Sequence, residues 1–267
     1  MRLTVRHSTI YCYDPPRARV AQSHRLTPAG SASQRVLDWQ VDCDGAAFGA
    51  SFTDGGGDTV TTMTVPGPVA ALEITVSGTV ETTDTAGVLR GHAERVAPDV
   101  YLRKTRTTAP GVALTRLVER LGDAANDLDA AHEMARLIAE TIEYTPGATH
   151  AGMTATEAIE LGKGVCQDHA QALIALARMR GMPARYVTGY MFADQEAGAA
   201  EASHAWAELH VPGLGWVGFD AANQCCPDER YIRLGSGMDA LDAAPMPGIS
   251  LGVGDESLDI SVNVAQQ

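Results

Sequence analysis

Alternating apolar and polar residues dominate the first third of the chain. Residues 59–65 and 72–81 largely place apolar side chains at every second position, and a glycine-rich run, 55–58, precedes them. Because successive side chains of a strand point to opposite faces, this period of two predicts half-buried strands, and the glycines predict a turn. We therefore expect residues 1–95 to form a small antiparallel β-sandwich.

Helical spacing begins after Pro110. Apolar side chains recur three and four residues apart in two stripes, Leu114, Leu117, Val118 and Leu121, and then Met134, Leu137, Ile138, Thr141 and Ile142. This spacing predicts two amphipathic helices whose stripes face a core. Thr154 and Glu157 have the spacing of a capping box and predict a short helix. One more helix is predicted to begin near Cys166 and to end at the glycine and proline of residues 181–183.

Two strands with one chemically rich face are predicted near residue 210. Residues 204–211 alternate strictly, and the polar and aromatic face carries His204, Trp206, Glu208 and His210. A short Pro-Gly-Leu-Gly turn leads to a second strand that ends at Asp220. A turn of this length predicts an antiparallel hairpin, which would bring Asp220 back beside His204.

Cys166 is the candidate nucleophile. A lone cysteine among alanines and leucines is more often a small buried apolar residue, but Gly162 and Gly164 place this one at a helix entrance. The unpaired N–H groups and the positive end of the helix dipole there favour the reactive thiolate, and the same N–H groups can stabilise an oxyanion. Cys166, His204 and Asp220 thus have the order of a nucleophile, its base and the group that orients the base.

Four blocks around these residues resemble the bacterial transglutaminase-like proteins, which are often described as cysteine proteases. The blocks are Gly-Val-Cys-Gln-Asp at 164–168, residues 181–190, His-Ala-Trp-Ala-Glu at 204–208, and residues 213–220. The chain start, with residues 3–13 and 25–28, is similar to the β-rich N-terminal domain that accompanies this family. Residues 227–233 also resemble family members.

The resemblance implies an α+β fold, with a papain-like core in which the cysteine-bearing helix packs on an antiparallel sheet. It divides the chain into a β-rich N-terminal domain, 1–95, and a transglutaminase-like catalytic domain, 96–267. It makes Cys166 the nucleophile, His204 the general base and acid, and Asp220 the orienting acid. Where the family commonly has Asp-Pro, this chain has Asp-Ala at 220–221, so we expect a less restrained backbone after Asp220.

Other polar residues near the cysteine have weaker roles. Gln167 is a candidate side-chain donor to the oxyanion, and Trp206 is expected to pack beside the base or to form a wall of the acyl pocket. Asp168 is expected to support the first turn of the helix. His169 follows Cys166 by three residues on the same helix, so its side chain points along the helix and is not expected to be the base.

The composition of the chain limits the classes of partner that we expect. The chain has 267 residues, 33 Asp and Glu against 20 Lys and Arg, and a net charge of −13. This acidity argues against nucleic acid or an anionic membrane as the main partner. Five cysteines without a Cys-x-x-Cys pair predict neither a zinc site nor a disulfide framework, and we expect no cofactor. Without a long apolar run or an apolar leader, we expect a cytoplasmic location.

These features predict a cysteine-dependent peptidase or amidase that acts on a peptide or protein through a thioester. A transglutaminase-type transferase or peptide ligase, which uses an amine instead of water, remains an alternative. Glu196, Glu201 or Glu208 could hold such an amine by charge pairing. Residues 193–202 are expected to form a loop that either borders the cleft or merely connects two strands. A non-catalytic scaffold would be expected to lack a triad member. The oligomeric state stays open.

Overall fold

The computed structural model describes residues 1–193 and 203–267, and these form a mixed α and β architecture that confirms the predicted fold class. The strands, in chain order, are β1 (Arg2–Thr27), β2 (Gln34–Cys43), β3 (Ala47–Thr53), β4 (Thr59–Thr82), β5 (Glu143–Tyr144), β6 (Lys163–Gly164), β7 (Ala184–Met191), β8 (Ser203–Val211), β9 (Gly215–Phe219), β10 (Tyr231–Gly237), β11 (Gly248–Leu251) and β12 (Asp255–Gln266). The helices are α1 (Val112–Arg120), α2 (Asp127–Thr141), α3 (Ala155–Leu161) and α4 (Cys166–Met179), with a 3₁₀ helix at Pro98–Leu102.

The N-terminal sheet is built on two long strands, β1 and β4. They pair antiparallel, with β2 and β3 on the outer edge of β4. Their register shifts between Cys12 and Arg19, where prolines on both strands cannot donate to the ladder. Side chains from either side of this shift, such as Tyr11 and Val20 of β1, share one core. The β-rich N-terminal part that alternation predicted is therefore present, as one sheet with a shared core.

The last two strands complete this same sheet. β12 runs antiparallel to β1 from Leu3 opposite Gln266 to Asp14 opposite Asp255, and β11 continues along β1 near Arg19. The predicted division placed everything after residue 95 in the catalytic domain. In the structure, β1 is bonded to β4 along one edge and to β11 and β12 along the other, so residues 248–266 lie with the N-terminal sheet.

The second sheet carries the predicted hairpin. Its order is β10-β7-β8-β9, every pair is antiparallel, and β8 and β9 are joined by the short turn. The alanine, leucine and valine face of β8 packs in one core with α4, and the apolar stripes of α1 and α2 join that core. Thr154 and Glu157 form the predicted capping box at the start of α3. The helix that bears Cys166 is thus packed directly on the antiparallel sheet.

Buried ion pairs connect the two sheets. Glu208 of β8 accepts from Arg185 of β7 at 2.6 Å and from Arg233 of β10 at 2.9 Å. Arg185 also pairs with Glu94 at 2.7 Å, and Arg233 pairs with Asp58, the residue immediately before β4 of the N-terminal sheet. Burial raises the pKa of Glu208, but the two arginines lower it to about 2. The carboxylate of Glu208 is therefore fully engaged and is not free to hold a substrate amine, contrary to one expectation from the sequence.

Candidate active site

Cys166 is the first residue of α4 and is almost fully buried. The turn before it is fixed by Asp168, whose carboxylate accepts from the Val165 N–H at 2.9 Å and from the Thr149 hydroxyl at 2.7 Å. A Cβ at Gly164 would lie 2.7 Å from the Asp168 Cβ, so the glycine permits this close approach. Asp168 thus supports the helix start, as its position in the first turn suggested.

His204 lies at the beginning of β8, directly opposite Gly189 of β7. Its Nε2 donates to the Oδ2 of Asp220 at 2.6 Å, which leaves Nδ1 as the ring nitrogen available to the Cys166 sulfur. Burial lowers the pKa of His204, while hydrogen bonding and charge from Asp220 and Cys166 raise it to about 10. The imidazole is therefore held in its protonated form at neutral pH, between a sulfur and a carboxylate.

Asp220 follows β9 immediately and is held on both carboxylate oxygens. Oδ1 accepts from the backbone N–H groups of Ala222 and Asn223 at 3.0 and 3.1 Å. Oδ2 accepts from His204, from the Asn223 side-chain amide at 2.7 Å and from the Tyr231 hydroxyl at 2.8 Å. Burial raises the pKa of Asp220, but the bond to His204 leads the contributions that lower it overall.

The backbone after Asp220 is restrained without the family's proline. The main chain of Asp220 exchanges two hydrogen bonds with Cys225, at 2.8 and 3.2 Å. Together with the two N–H groups on Oδ1, this bridge closes a tight turn. The less restrained backbone expected from the missing proline is thus not what the structure shows, because hydrogen bonds replace the ring constraint.

Sequence reasoning missed Asn223 and Tyr231. Asn223 stands three residues after Asp220, a spacing at which an aspartate side chain commonly accepts from the following turn. Tyr231 begins β10, and β10 reaches the site only because it pairs with β7 at the far edge of the sheet. The first could have been suspected from local spacing, whereas the second required the sheet order.

The structure places Gln167, Trp206 and His169 in different surroundings near Cys166. Gln167 is exposed, and its Oε1 lies 3.2 Å from the Cys166 sulfur, so the amide oxygen and not the amino group faces the sulfur. Trp206 is buried, with its ring 5.5 Å from that of Tyr231 and 6.4 Å from that of His204. His169 contacts the carbonyl oxygens of Val165 and Ile142 through its two ring nitrogens, both at 2.9 Å. Both nitrogens of His169 are thus occupied away from the cysteine.

Some sequence expectations fall on residues that the structure does not describe. The loop expected at 193–202 and the two carboxylates Glu196 and Glu201 lie, apart from Ala193, outside the described residues. Within residues 1–193 and 203–267, no three His, Cys, Asp or Glu side chains form a group that could hold a metal ion. Over the same ranges, no helix is both long and apolar enough to cross a membrane.

Comparison with known proteins places this geometry in context. Residues 115–221 match the transglutaminase-like superfamily, and residues 3–81 match the bacterial transglutaminase-like N-terminal region. The uncharacterized protein ML0607 of Mycobacterium leprae is 30% identical over 99% of each chain, and the uncharacterized protein Rv2569c of Mycobacterium tuberculosis is 28% identical over 98% of this chain and 92% of its own. The crystal structure of a putative cysteine protease from Cytophaga hutchinsonii covers 99% of this chain and 90% of that one, with a TM-score of 0.79 and 21% identity, which shows a shared fold.

Proposed function

Because the chain belongs to the transglutaminase-like superfamily, we propose that it is a cysteine-dependent acyl-transfer enzyme that hydrolyses amide bonds of a peptide or protein. The observation that carries the proposal is the position of His204. Its imidazole donates a hydrogen bond to Asp220 on one side and interacts electrostatically with Cys166 on the other. A thiolate beside an oriented imidazolium is the arrangement that nucleophilic thiol catalysis requires.

The first half of the reaction forms a thioester. The Cys166 sulfur donates an electron pair to the amide carbonyl carbon, and the negative charge moves to the carbonyl oxygen. The backbone N–H of Cys166 lies in the first turn of α4, where N–H groups lack an acceptor within the helix, so it can bind that oxygen. The C–N bond then breaks, and the leaving nitrogen takes its proton from His204.

The second half returns the enzyme to its starting state. Water attacks the thioester carbonyl carbon while His204 accepts one of its protons. The C–S bond breaks, the acid leaves, and the thiolate again faces an imidazolium. Asp220 stays ionised through both halves and stabilises the charged imidazole, since five donors hold its oxygens.

Two features favour water over an amine as the acceptor. An amine requires a site that holds it in attack geometry, whereas water does not. Of the carboxylates that could have formed such a site, Glu208 is neutralised by Arg185 and Arg233. A transferase using an amine acceptor remains the second candidate, because the same three residues would serve it. A non-catalytic scaffold is less well supported, since His204 interacts with both Asp220 and Cys166 and all three residues of the proposed triad are present.

Product partitioning tests this proposal. Plain and glutamine-containing peptides would be incubated with the wild type at a series of lysine-analogue concentrations, and products identified by mass spectrometry. We expect mainly free acid, and we expect Cys166→Ala and His204→Ala to remove turnover while Cys12→Ser, at an exposed thiol, leaves it unchanged. Predominant amide exchange at millimolar amine would instead establish a transferase. Turnover that survives Cys166→Ala would overturn the nucleophile.

A further inference from the structure

A cavity of about 240 Å³ lies beside His204, between the N-terminal sheet and the sheet β10-β7-β8-β9, here called the catalytic sheet. Gln167, Ser203 and His204 form the end of the cavity nearest the nucleophile. Much of the remaining wall is apolar or aromatic and comes from three strands of the catalytic sheet, from β1 and from the segment after β10. These wall residues include Leu26, Tyr186, Tyr190, Ala205, Leu234 and Ala244.

We propose that this cavity receives an uncharged aromatic or branched aliphatic side chain of the residue whose carbonyl is attacked by Cys166. The proposal rests on the proposed function, because it places the acyl group of the thioester beside the cavity mouth. Gln167 follows the nucleophile directly and His204 is the base, so a carbonyl carbon bonded to the sulfur lies next to both residues. The side chain on the acyl residue can then enter this cavity.

The residues that line the cavity select against a positively charged substrate side chain. Among the described residues that line the cavity there is no aspartate, glutamate, lysine or arginine. His7 is paired internally, with Nδ1 2.8 Å from the Tyr190 hydroxyl and Nε2 2.8 Å from the Thr9 hydroxyl. Burial lowers the pKa of His7 to about 4, so the ring is neutral at neutral pH. A positively charged substrate side chain would lose its hydration here without gaining a carboxylate partner from the cavity wall.

The volume fits a ring. An engineered apolar cavity of about 150 Å³ is large enough to hold benzene, so the larger cavity beside His204 accommodates the side chain of phenylalanine or leucine. Glycine or alanine at the same substrate position would leave most of the apolar wall uncovered. The gain from covering it is about 25 cal/mol for each Å² of apolar surface removed from water.

The N-terminal sheet contributes part of this wall. His7 and Leu26 both belong to β1, and Leu26 is almost fully buried. The recognition of the acyl residue is thus shared between the two sheets, which assigns a substrate-binding role to the N-terminal sheet.

The experiment combines turnover with direct binding. Peptide esters with phenylalanine, leucine, glycine or lysine as the acyl residue would be compared for the wild type, for Ala244→Trp, which fills the cavity, and for Ala125→Trp, which places the same side chain on an exposed loop. We expect the wild type to favour phenylalanine and leucine over glycine and lysine by at least about tenfold in kcat/KM. In Ala244→Trp the kcat/KM values for the four esters should converge, whereas Ala125→Trp should keep the order of preference of the wild type.

Binding separates this inference from the reaction itself. Cys166→Ala would be titrated with N-acetyl-phenylalanine amide, with and without Ala244→Trp, and followed by NMR. One outcome is that the amide binds, that Ala244→Trp removes this binding, and that the wild type shows no turnover. This outcome supports the cavity and overturns the proposed reaction. Turnover without preference among the four esters overturns the cavity and leaves the reaction standing.

A second variant covers the case in which Ala244→Trp does not fold. Leu234→Ala enlarges the same cavity and should shift the preference from phenylalanine toward tryptophan. An unchanged order of preference in Leu234→Ala would contradict the assignment.

Discussion

The imidazole of His204 is fixed from the side opposite the nucleophile. Asp220 is itself held by Asn223, Tyr231 and two backbone N–H groups, so its carboxylate cannot rotate away from Nε2 without losing several bonds. The remaining ring nitrogen is thereby directed toward Cys166. Reactivity of the thiol should depend on this charged neighbour more than on exposure, because Cys166 is buried.

Alkylation measures that dependence. We expect brief iodoacetamide treatment to modify Cys166 before Cys43, Cys225 and Cys226, because burial raises the pKa of those three thiols. In His204→Ala the rate at Cys166 should fall by roughly tenfold or more, since the sulfur loses its cationic neighbour. Peptide mapping by mass spectrometry gives all five rates, with the exposed Cys12 as the reference within the same sample. If the ratio of the alkylation rates at Cys166 and Cys12 is the same in His204→Ala as in the wild type, the result would argue against an interaction between Cys166 and a charged His204.

The pH dependence follows from the same pair. His204 must carry a proton to release the leaving amine, and its pKa is raised from 6.5 to about 10, despite burial, by Asp220 and Cys166. Activity should therefore persist through neutral pH and fall as the pH passes about 10. In Asp220→Asn the alkaline fall should move to lower pH, as one source of the raised pKa is gone. Profiles of kcat/KM against pH decide this, and a wild-type fall centred near 7 would contradict it.

The free energy of unfolding should depend on pH in the same direction as the activity. A histidine whose pKa is raised in the folded state stabilises the fold fully below its ordinary pKa of 6.5. That contribution declines as the pH rises through about 10.

The three proposed catalytic residues were accessible to sequence reasoning through local patterns and the family resemblance, although the approach of Cys166 to His204 depends on the packing of α4 on β8. A cysteine at a glycine-built helix start and a hairpin with a short turn each require only local spacing. Tyr231 was not accessible, because its hydroxyl reaches Asp220 through the pairing of β10 with β7, which no local pattern specifies. Glu208 was misjudged for a similar reason, since its arginine partners lie on two other strands.

At the scale of elements, the contact between β7 and β8 controls the position of the base. Gly189 lies opposite His204, and a Cβ there would be 2.2 Å from the Ile232 carbonyl oxygen and 2.6 Å from the Trp206 ring. Contacts this short do not occur between real atoms, so either β10 or the indole must move. The absence of a side chain at this position therefore keeps three strands in register around the site.

Gly189→Ala tests this close packing. We expect the free energy of unfolding to fall by about 1–3 kcal/mol, the usual cost of an extra methyl group in a packed interior. We also expect kcat/KM to decrease, because a displaced Trp206 ring disturbs the neighbouring imidazole. Gly30→Ala is the matched control, since its Cβ would meet nothing within 4 Å. Urea denaturation and steady-state kinetics measure both effects, and equal behaviour of the two variants would refute the argument.

Alternation identified strands more reliably than it identified their ends. The patterns at 59–65 and 72–81 belong to one strand, β4, because the chain continues through Gly67 and Pro68 while its alternation lapses. A glycine and a proline in sequence usually indicate a turn, yet here the ladder with β1 resumes after a register shift. The hairpin of β8 and β9 was predicted correctly because a tight turn and strict alternation agreed.

At the scale of the whole molecule, Glu208 links the catalytic sheet to the N-terminal sheet. It pairs with Arg233, which pairs in turn with Asp58, and all three side chains are buried. Removing the shared carboxylate leaves two guanidinium groups short of a partner in the interior. The cost of such a change is far larger than for an ion pair at the surface.

Glu208→Ala measures this link. We expect the free energy of unfolding to fall by about 3–5 kcal/mol, which is typical when one partner of a buried pair is removed. Glu140→Ala breaks the exposed pair with Arg136 and should leave stability nearly unchanged. Chemical denaturation of both variants gives the comparison. Equal and small losses would show that the buried network does not hold the sheets together.

The pairing of β12 with β1 has a consequence for how the chain folds. Leu3 lies opposite Gln266, and the ladder continues for twelve residue pairs to Asp14 and Asp255. One edge of β1 therefore stays unpaired until β12 has been synthesised, after the helices and the sheet β10-β7-β8-β9. Pairings between residues so far apart in sequence raise the contact order, and proteins rich in them fold slowly. During synthesis, β1 is thus made long before the strand that completes this edge.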